Sequence, residues 1–253
     1  MKDIYFIEEN FDDYINDNMI IGAGTESHIY KFNDIVLKIL YSDFIRFYTK
    51  YKLKKIAKLN LDDIISSPIG FVYCDYKFIG YAMHNCGISL KDYLLENNIS
   101  LDKKIKILRD TKDKIIKLHQ LGMVHGDIQP GNILIDSNEI IRIGDINNIN
   151  ISYFKDMYYN NISYSLSFRY GNSSILDILT FNYFCYIILN YHDRDLSSYL
   201  THGADSFYYF RYDIKDNKYF DENICQEQMN LLLNPRSKKY ALNNTKYLID
   251  YLK

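Results

Sequence analysis

Apolar positions recur with two different periods along this chain. Up to about residue 84 they form short runs of strand length. Residues 19–21 and 29–32 flank a glycine-containing loop. Asn33 and Asp34 make a turn before the apolar run 35–40. Runs 69–74 and 78–83 flank a second turn at Asp75 and Tyr76. One segment, 42–59, breaks the strand pattern. Its Phe44, Phe47, Tyr48, Tyr51, Ile56 and Leu59 predict a helical stripe, with the lysines of 50–58 on a solvated face.

Beyond residue 88 the period becomes helical. Ser89 and Asp92 form a capping box for a short helix reaching Leu95. Ser100 caps a longer one, whose Leu101, Ile105, Leu108, Ile115 and Leu118 keep helical spacing until Gly122 stops it. Runs 133–135 and 140–143, joined by 136–139, predict a small hairpin within this half. The pattern predicts an α+β fold, a strand-rich half followed by a helix-rich one. We read residues 1–253 as one domain with two lobes, 1–84 and 89–253, joined by a hinge at 85–88. Clefts between such lobes are where ligands bind.

Composition narrows the function. The chain has 30 Lys plus Arg against 32 Asp plus Glu, a formal charge of -2, so no basic surplus points to nucleic acid. The 26 Tyr and absent Trp read as genomic bias, and the tyrosines as packing and surface residues. Cys74, Cys86, Cys185 and Cys225 lie far apart without a CxxC pair, which fits a reduced, cytoplasmic protein. The acidic start lacks a signal-peptide pattern. The longest apolar run, 181–189, is interrupted by Asn182 and too short to span a bilayer, so it predicts a buried helix.

The chemistry concentrates at His125-Gly-Asp-Ile-Gln-Pro-Gly-Asn132. An Asp and an Asn five residues apart on one tight loop suit phosphoryl transfer. Asp127 can accept the proton of an acceptor hydroxyl, while the Asn132 oxygen holds a metal ion. Asp145 follows the second hairpin strand and would be the main Mg²⁺ ligand, because a hard cation prefers carboxylate oxygen. Upstream, Gly22 and Gly24 lie between two strands, where backbone N–H groups can approach phosphates. Lys38 follows on the next strand among aliphatic neighbours, a costly place for an ammonium unless it meets an anion.

In this order the parts resemble the protein kinase superfamily. The glycine loop, Lys38, Leu118-His119 leading into His125-Gly-Asp127, then Asn132 and Asp145 follow the family's sequence of motifs. The likeness extends from about residue 19 to 237. The run 83–90 looks like the hinge, and Asp177 like the start of the buried helix whose Asp braces the catalytic loop. Residues 231–236 look like a late helix-ending signature. The resemblance implies a bilobal kinase-like fold with ATP and Mg²⁺ as cofactors. ATP would be held by Ile21, Gly22, Gly24 and Ile29, by Lys38 on the α- and β-phosphates, and by Met83 and Asn85 at the hinge. Asp127 would be the catalytic base, with Lys38 also catalytic, and Asn132 and Asp145 the metal ligands. His119 reads as a core histidine and His125 as a support of the loop.

The chain also departs from the family. No Glu occurs between Glu26 and Glu96, so the family's helix Glu that pairs with the strand lysine is missing. Helix register puts Lys52 or a neighbour at that place, which leaves Asp43, Asp62, Asp63 or ATP as the partner of Lys38. Gly126 replaces the Arg before the catalytic Asp, Gln129 a frequent Lys, Ser27 the third loop Gly, and Ile146-Asn147 a Phe-Gly. The segment between Asp145 and Asp177 is short and lacks Ala-Pro-Glu, with Ser173-Ser174 in place of Pro-Glu. Ser167 to Tyr170 faintly resembles a substrate platform. Three functions fit: a protein Ser/Thr kinase with a protein substrate, a phosphotransferase acting on a small hydroxyl-bearing molecule, as aminoglycoside and choline kinases do, and a pseudokinase binding module.

Overall fold

The computed structural model describes residues 3–6, 15, 17–151, 173–190, 217–233 and 237–253. The chain divides into two compact units, Met1–Gly87 and Ile88–Lys253.

The first unit is built on strands β1 (Ile4–Phe6), β2 (Ile20–Ala23), β3 (Ser27–Phe32), β4 (Ile35–Leu40), β5 (Pro68–Cys74) and β6 (Lys77–His84), in the order β1-β5-β6-β4-β3-β2. All neighbours are antiparallel except β1, which runs parallel to β5. The tight turns fall where Asn and Asp tolerate a left-handed backbone: Asn33 has φ 54° and Asp75 φ 45°. The strand β1 was not foreseen. It is three residues long, too short for a legible period, and is tied to β5 by the Phe71 N–H donating to Asp3. One face of the sheet buries Phe6, Ile15, Tyr30, Leu37, Val72 and Ala82 together. The other carries helix α1 (Thr49–Ala57), whose Lys50 ammonium lies over the rings of Phe71 and Tyr73, 5.8 and 4.8 Å from their centroids.

The expected helix over 42–59 is therefore shorter. Ser42–Phe44 forms a single 3₁₀ turn, Ile45 is extended, and α1 begins only at Thr49. The Arg46 N–H donates to the Thr49 hydroxyl at 3.0 Å, a local bond that competes with helix continuation. The buried stripe also differs: it is Thr49, Lys52, Leu53 and Ile56, while Phe47 is 97% exposed and Tyr51 and Leu59 are exposed. Aromatic residues misled the pattern, and Lys52 does not belong to the solvated face.

The second unit opens with β7 (Ile88–Ser89), which joins β8 (Ile133–Ile135) and β9 (Ile141–Ile143) in a three-stranded antiparallel sheet. Helix α2 (Leu90–Glu96) starts at the predicted capping box: the Asp92 N–H donates to Ser89 Oγ at 3.1 Å, and the Ser89 hydroxyl donates back to the Asp92 carboxylate at 2.5 Å. Helix α3 (Leu101–Gln120) is capped by Ser100 and ends before Gly122 at φ 71°. Its buried stripe is Ile107, Leu108, Thr111, Ile115 and Leu118, with Leu101 exposed.

Helix α4 (Ser174–Asn190) is apolar nearly all round and almost wholly buried, as expected of a helix that is apolar on every face. Asn182 inside it is part of a polar clasp. Its amide donates to the Lys246 carbonyl at 2.7 Å and its oxygen accepts the Leu248 N–H at 2.8 Å. Gln228 of α5 (Glu222–Leu233) bonds the Asn244 carbonyl and the Lys246 N–H, both at 2.9 Å. This fastens α6 (Lys238–Asn244) and the final turn onto α4 and α5. No described helix is long and apolar enough to cross a membrane.

Candidate functional site

In the second unit, α3 delivers the chain through Gly122 into the loop 125–132, and α4 fixes that loop from beneath. Asp177 in the first turn of α4 is fully buried. Its Oδ2 accepts the His125 N–H at 2.8 Å and a His119 Nε2 bond at 2.9 Å; its Oδ1 accepts the Gly126 N–H at 2.8 Å. Two consecutive N–H groups gripping one carboxylate require a sharp backbone, and Gly126 stands at φ 83°. An L side chain there would be strained. These contacts are what a bracing role for Asp177 requires, and His119, read as a core histidine, is half-buried with its ring bonded to that carboxylate.

His125, also fully buried, ties the loop to its neighbour. The Asp127 N–H donates to His125 Nδ1 at 3.2 Å, so the ring proton sits on Nε2, which donates to the Gly144 carbonyl at 2.8 Å. The Gly144 N–H in turn donates to the Asn132 carbonyl at 2.7 Å. These bonds set the Asp145 backbone beside the loop, in the left-handed region at φ 49°, ψ 50°, which Asp tolerates better than most residues.

Asp127 is 7% exposed. Its Oδ2 accepts from Asn132 Nδ2 at 2.8 Å and from Gln129 Nε2 at 2.9 Å, and Asn132 Nδ2 also donates to the Asp127 carbonyl at 2.9 Å. Burial, then the Asp145 carboxylate, push the Asp127 carboxyl above its ordinary value; His125 and the bonds from Asn132 and Gln129 pull the other way and lose. Gln129 thus gives the Asp127 carboxylate a neutral donor.

Among the described residues no three His, Cys, Asp or Glu side chains gather as a metal cluster. The donor set still suits one kind of ion. Both N–H groups of Asn132 are spent on Asp127, which leaves its amide oxygen as an acceptor, and the Asp145 carboxylate lies close enough to Asp127 to act on its ionisation. Two oxygen donors and a carboxylate pair that repels fit Mg²⁺, which takes one or two protein ligands and fills its shell with phosphate and water oxygens.

In the first unit, Gly22 pairs with Ile29, and Ile29 with Lys38. The Gly24 N–H donates to the Ser27 carbonyl at 3.0 Å, closing the loop, and a Cβ on Gly24 would meet nothing within 4 Å. Lys38 is 5% exposed, while Asp43, Asp62 and Asp63 are exposed. Gly80 was not singled out by sequence. A Cβ there would lie 2.0 Å from the Lys38 carbonyl, so Gly80 is what lets β6 pass close to β4 at the lysine. Ile21 is exposed and Met83 buried. The exposed Asn85 accepts the Gly87 N–H at 3.0 Å. Ser167 to Tyr170 and 234–236 lie outside the described residues.

A family model described as protein tyrosine and serine/threonine kinase matches residues 46–174, just over half of the chain. The chain is similar to the serine/threonine-protein kinases PknA of Corynebacterium glutamicum, 29% identical over 146 residues covering 50% of this chain and 30% of that protein. It is similar to a putative serine/threonine-protein kinase, L673, of Acanthamoeba polyphaga mimivirus, 28% identical over 140 residues, 49% of this chain and 24% of the relative. It is also similar to the serine/threonine-protein kinase PknB of Mycolicibacterium smegmatis, 24% identical over 149 residues, 50% of this chain and 23% of the relative. The chain spans less than a third of the length of these curated relatives.

Proposed function

The chain belongs to the protein tyrosine and serine/threonine kinase family, a family of phosphotransferases, and from that premise we propose that it transfers the γ-phosphate of ATP to a Ser or Thr hydroxyl of a protein in the cytoplasm. The observation that carries the reading is the braced loop, in which Asp177 and His125 fix the backbone around Asp127. Asp127 accepts the proton of the acceptor hydroxyl at its carboxylate, and Gln129 and Asn132 orient that carboxylate. A raised carboxyl moves toward the range useful for a general base. Asn132 and Asp145 would hold Mg²⁺, which when bound offsets the charge of the transferring phosphoryl group. Lys38 holds the α- and β-phosphates, and the backbone of Gly22 and Gly24 covers them. Ile21, Ile29, Met83 and Asn85 contact the base and sugar.

Gly126 supports a second acceptor class, small hydroxyl-bearing molecules, because the His-Gly-Asp form of the loop is common in small-molecule phosphotransferases. One assay separates the readings. Purified protein is incubated with labelled ATP and Mg²⁺, with generic protein substrates and with aminoglycoside-like and choline-like alcohols. Label on protein Ser or Thr is expected. Label confined to an alcohol replaces the acceptor class, and nucleotide binding without any transfer makes the chain a binding module.

A further inference from the structure

The loop 24–26 joins β2 to β3, and a single residue beyond β4 reaches back to hold it. Tyr41 donates its backbone N–H to the Glu26 carbonyl at 2.9 Å and its hydroxyl to the Gly24 carbonyl at 3.4 Å. The first bond continues the β3–β4 ladder past the Ser27–Leu40 pair. The second is exposed and long for a hydroxyl bond, so it is the weaker of the two. The Tyr41 ring is itself held. His28 packs edge-on against it, with centroids 5.2 Å apart and planes at 86°, and the same imidazole meets the Tyr30 ring at 5.9 Å and 85°. The Tyr30 hydroxyl and His28 Nδ1 are bonded at 3.2 Å, and Tyr30 belongs to the buried cluster that contains Leu37. The core of the sheet thus positions Tyr30, Tyr30 positions His28, and His28 positions the ring that reaches the loop.

The consequence lies on the far side of two peptide units. In a trans peptide the C=O and the N–H of the next residue point in opposite directions, and no cis bond occurs among the described residues. With the Gly24 and Glu26 carbonyls turned toward Tyr41, the N–H groups of Thr25 and Ser27 point away from it. The Gly24 N–H is spent within the loop, on the Ser27 carbonyl at 3.0 Å. Backbone N–H groups aimed together out of a short loop suit an anion. We propose that Tyr41 is a positioning residue of the phosphate site, which draws two loop carbonyls toward itself and so presents the Thr25 and Ser27 N–H groups to the phosphates of the nucleotide. This role rests on the reading of the chain as an ATP-dependent phosphotransferase, and it specifies which loop donors serve the phosphates and what aims them. A ligand without phosphate gains nothing from those donors, so the contribution of Tyr41 is confined to ligands that carry phosphate.

The test uses the whole chain and two probes, Mg-ATP and adenosine, with affinities from titration calorimetry. Tyr41→Phe removes the hydroxyl bond and keeps a ring against His28. Tyr41→Pro removes both bonds, and the backbone there, at φ -67°, already has the angle that proline requires. Mg-ATP affinity is expected to fall about threefold in the Phe variant and at least about tenfold in the Pro variant, the worth of one and of two modest hydrogen bonds. Adenosine affinity is expected to match the parent's in both. In the unaltered protein, the amide proton resonances of Thr25 and Ser27 are expected to move downfield with Mg-ATP and to move less with adenosine; this measurement stands even where the Pro variant fails to fold. A folded Tyr41→Pro that binds Mg-ATP like the parent, equal losses for Mg-ATP and adenosine, or Thr25 and Ser27 amides that Mg-ATP leaves unmoved overturn the role of Tyr41 and leave the nucleotide reading intact. A parent protein that binds neither probe overturns both.

Discussion

Replacing Asp177 by asparagine changes one oxygen to an NH₂ group at a fully buried position that accepts three hydrogen bonds. One amide oxygen can still accept from one of the two backbone N–H groups of His125 and Gly126. The NH₂ then faces the other donor, so one buried N–H loses its partner, at a cost of about 1–3 kcal/mol. The surviving bonds lose the strengthening that a carboxylate gives, adding roughly 1 kcal/mol. The combined loss is about 2–4 kcal/mol, which for a chain of this size lowers Tm by roughly 4–16 °C. Because the chain has no Trp, urea unfolding is followed by far-UV circular dichroism. The phosphotransfer rate is measured on the folded fraction, since the Gly126 backbone that Asp177 grips leads straight into Asp127. A loss below about 1 kcal/mol together with an unchanged rate would refute the claim that Asp177 holds the loop.

Asp127→Asn is expected to lower the transfer rate by about 10²–10⁴ while Mg-ATP binding by calorimetry stays within threefold or so, because a base contacts the acceptor rather than the nucleotide. The same variant is expected to melt higher than the parent at neutral pH. The Asp127 carboxyl is raised by burial and Asp145 above its ordinary 3.8, so its stabilising contribution is full below the unfolded value and lost as pH rises through the folded one; the Tm difference is expected to vanish in acid. Asp145→Asn removes a metal ligand's charge and is expected to weaken Mg-ATP binding itself, so equal nucleotide affinities for the Asp127 and Asp145 variants would refute the division of roles. Gln129→Lys places a cation against the Asp127 carboxylate, and the acid limb of the pH–rate profile is expected to move to lower pH. Phosphatase treatment is expected to leave the initial rate unchanged, because Gly126 supplies no cation for a phosphate on the segment after Asp145; a tenfold loss restored by incubation with ATP would show that Arg169, outside the described residues, or another base serves instead.

Legibility followed how local each determinant was. The turn at Asn33, the caps at Ser89 and Ser100 and the stop at Gly122 are written in one or two residues each, and the structure has them at those places. The loop 125–132 was legible because an Asp and an Asn at fixed spacing have few other uses together. The aromatic spacing points to the wrong face of helix α1, because Phe47 precedes the helix and Lys52 lies inside the buried stripe. No scale of hydrophobicity puts a lysine in a core, so its burial follows only from the sheet that α1 covers. Gly80 was missed for the same reason: a strand glycine is uninformative until the Lys38 carbonyl is found where its Cβ would be.

Among the described residues, the buried Lys side chains lie in the first unit and the buried Asp side chains in the second. The first unit buries Lys38 and Lys52. The second buries Asp127 close enough to Asp145 that the Asp145 carboxylate opposes its ionisation. Stability alone would not select the carboxylate at Asp127, since an amide there fills similar space without a desolvated charge. On the proposed function, Asn132 and Asp145 would hold a magnesium ion that lessens this repulsion. Such an ion would stabilise the folded state by mass action. The prediction that separates this from ordinary ligand stabilisation is a contrast between variants. Asp145→Asn removes the like charge beside Asp127 and a metal ligand at once, so the Tm increment that Mg-ATP adds is expected to be smaller than in the parent, while Asp127→Asn, with nearly unchanged Mg-ATP affinity, is expected to keep the parent's increment. An increment equal to the parent's in Asp145→Asn at the same Mg-ATP concentration would show that the carboxylate pair is not relieved by the bound cation, and that its charge is tolerated for some reason other than catalysis.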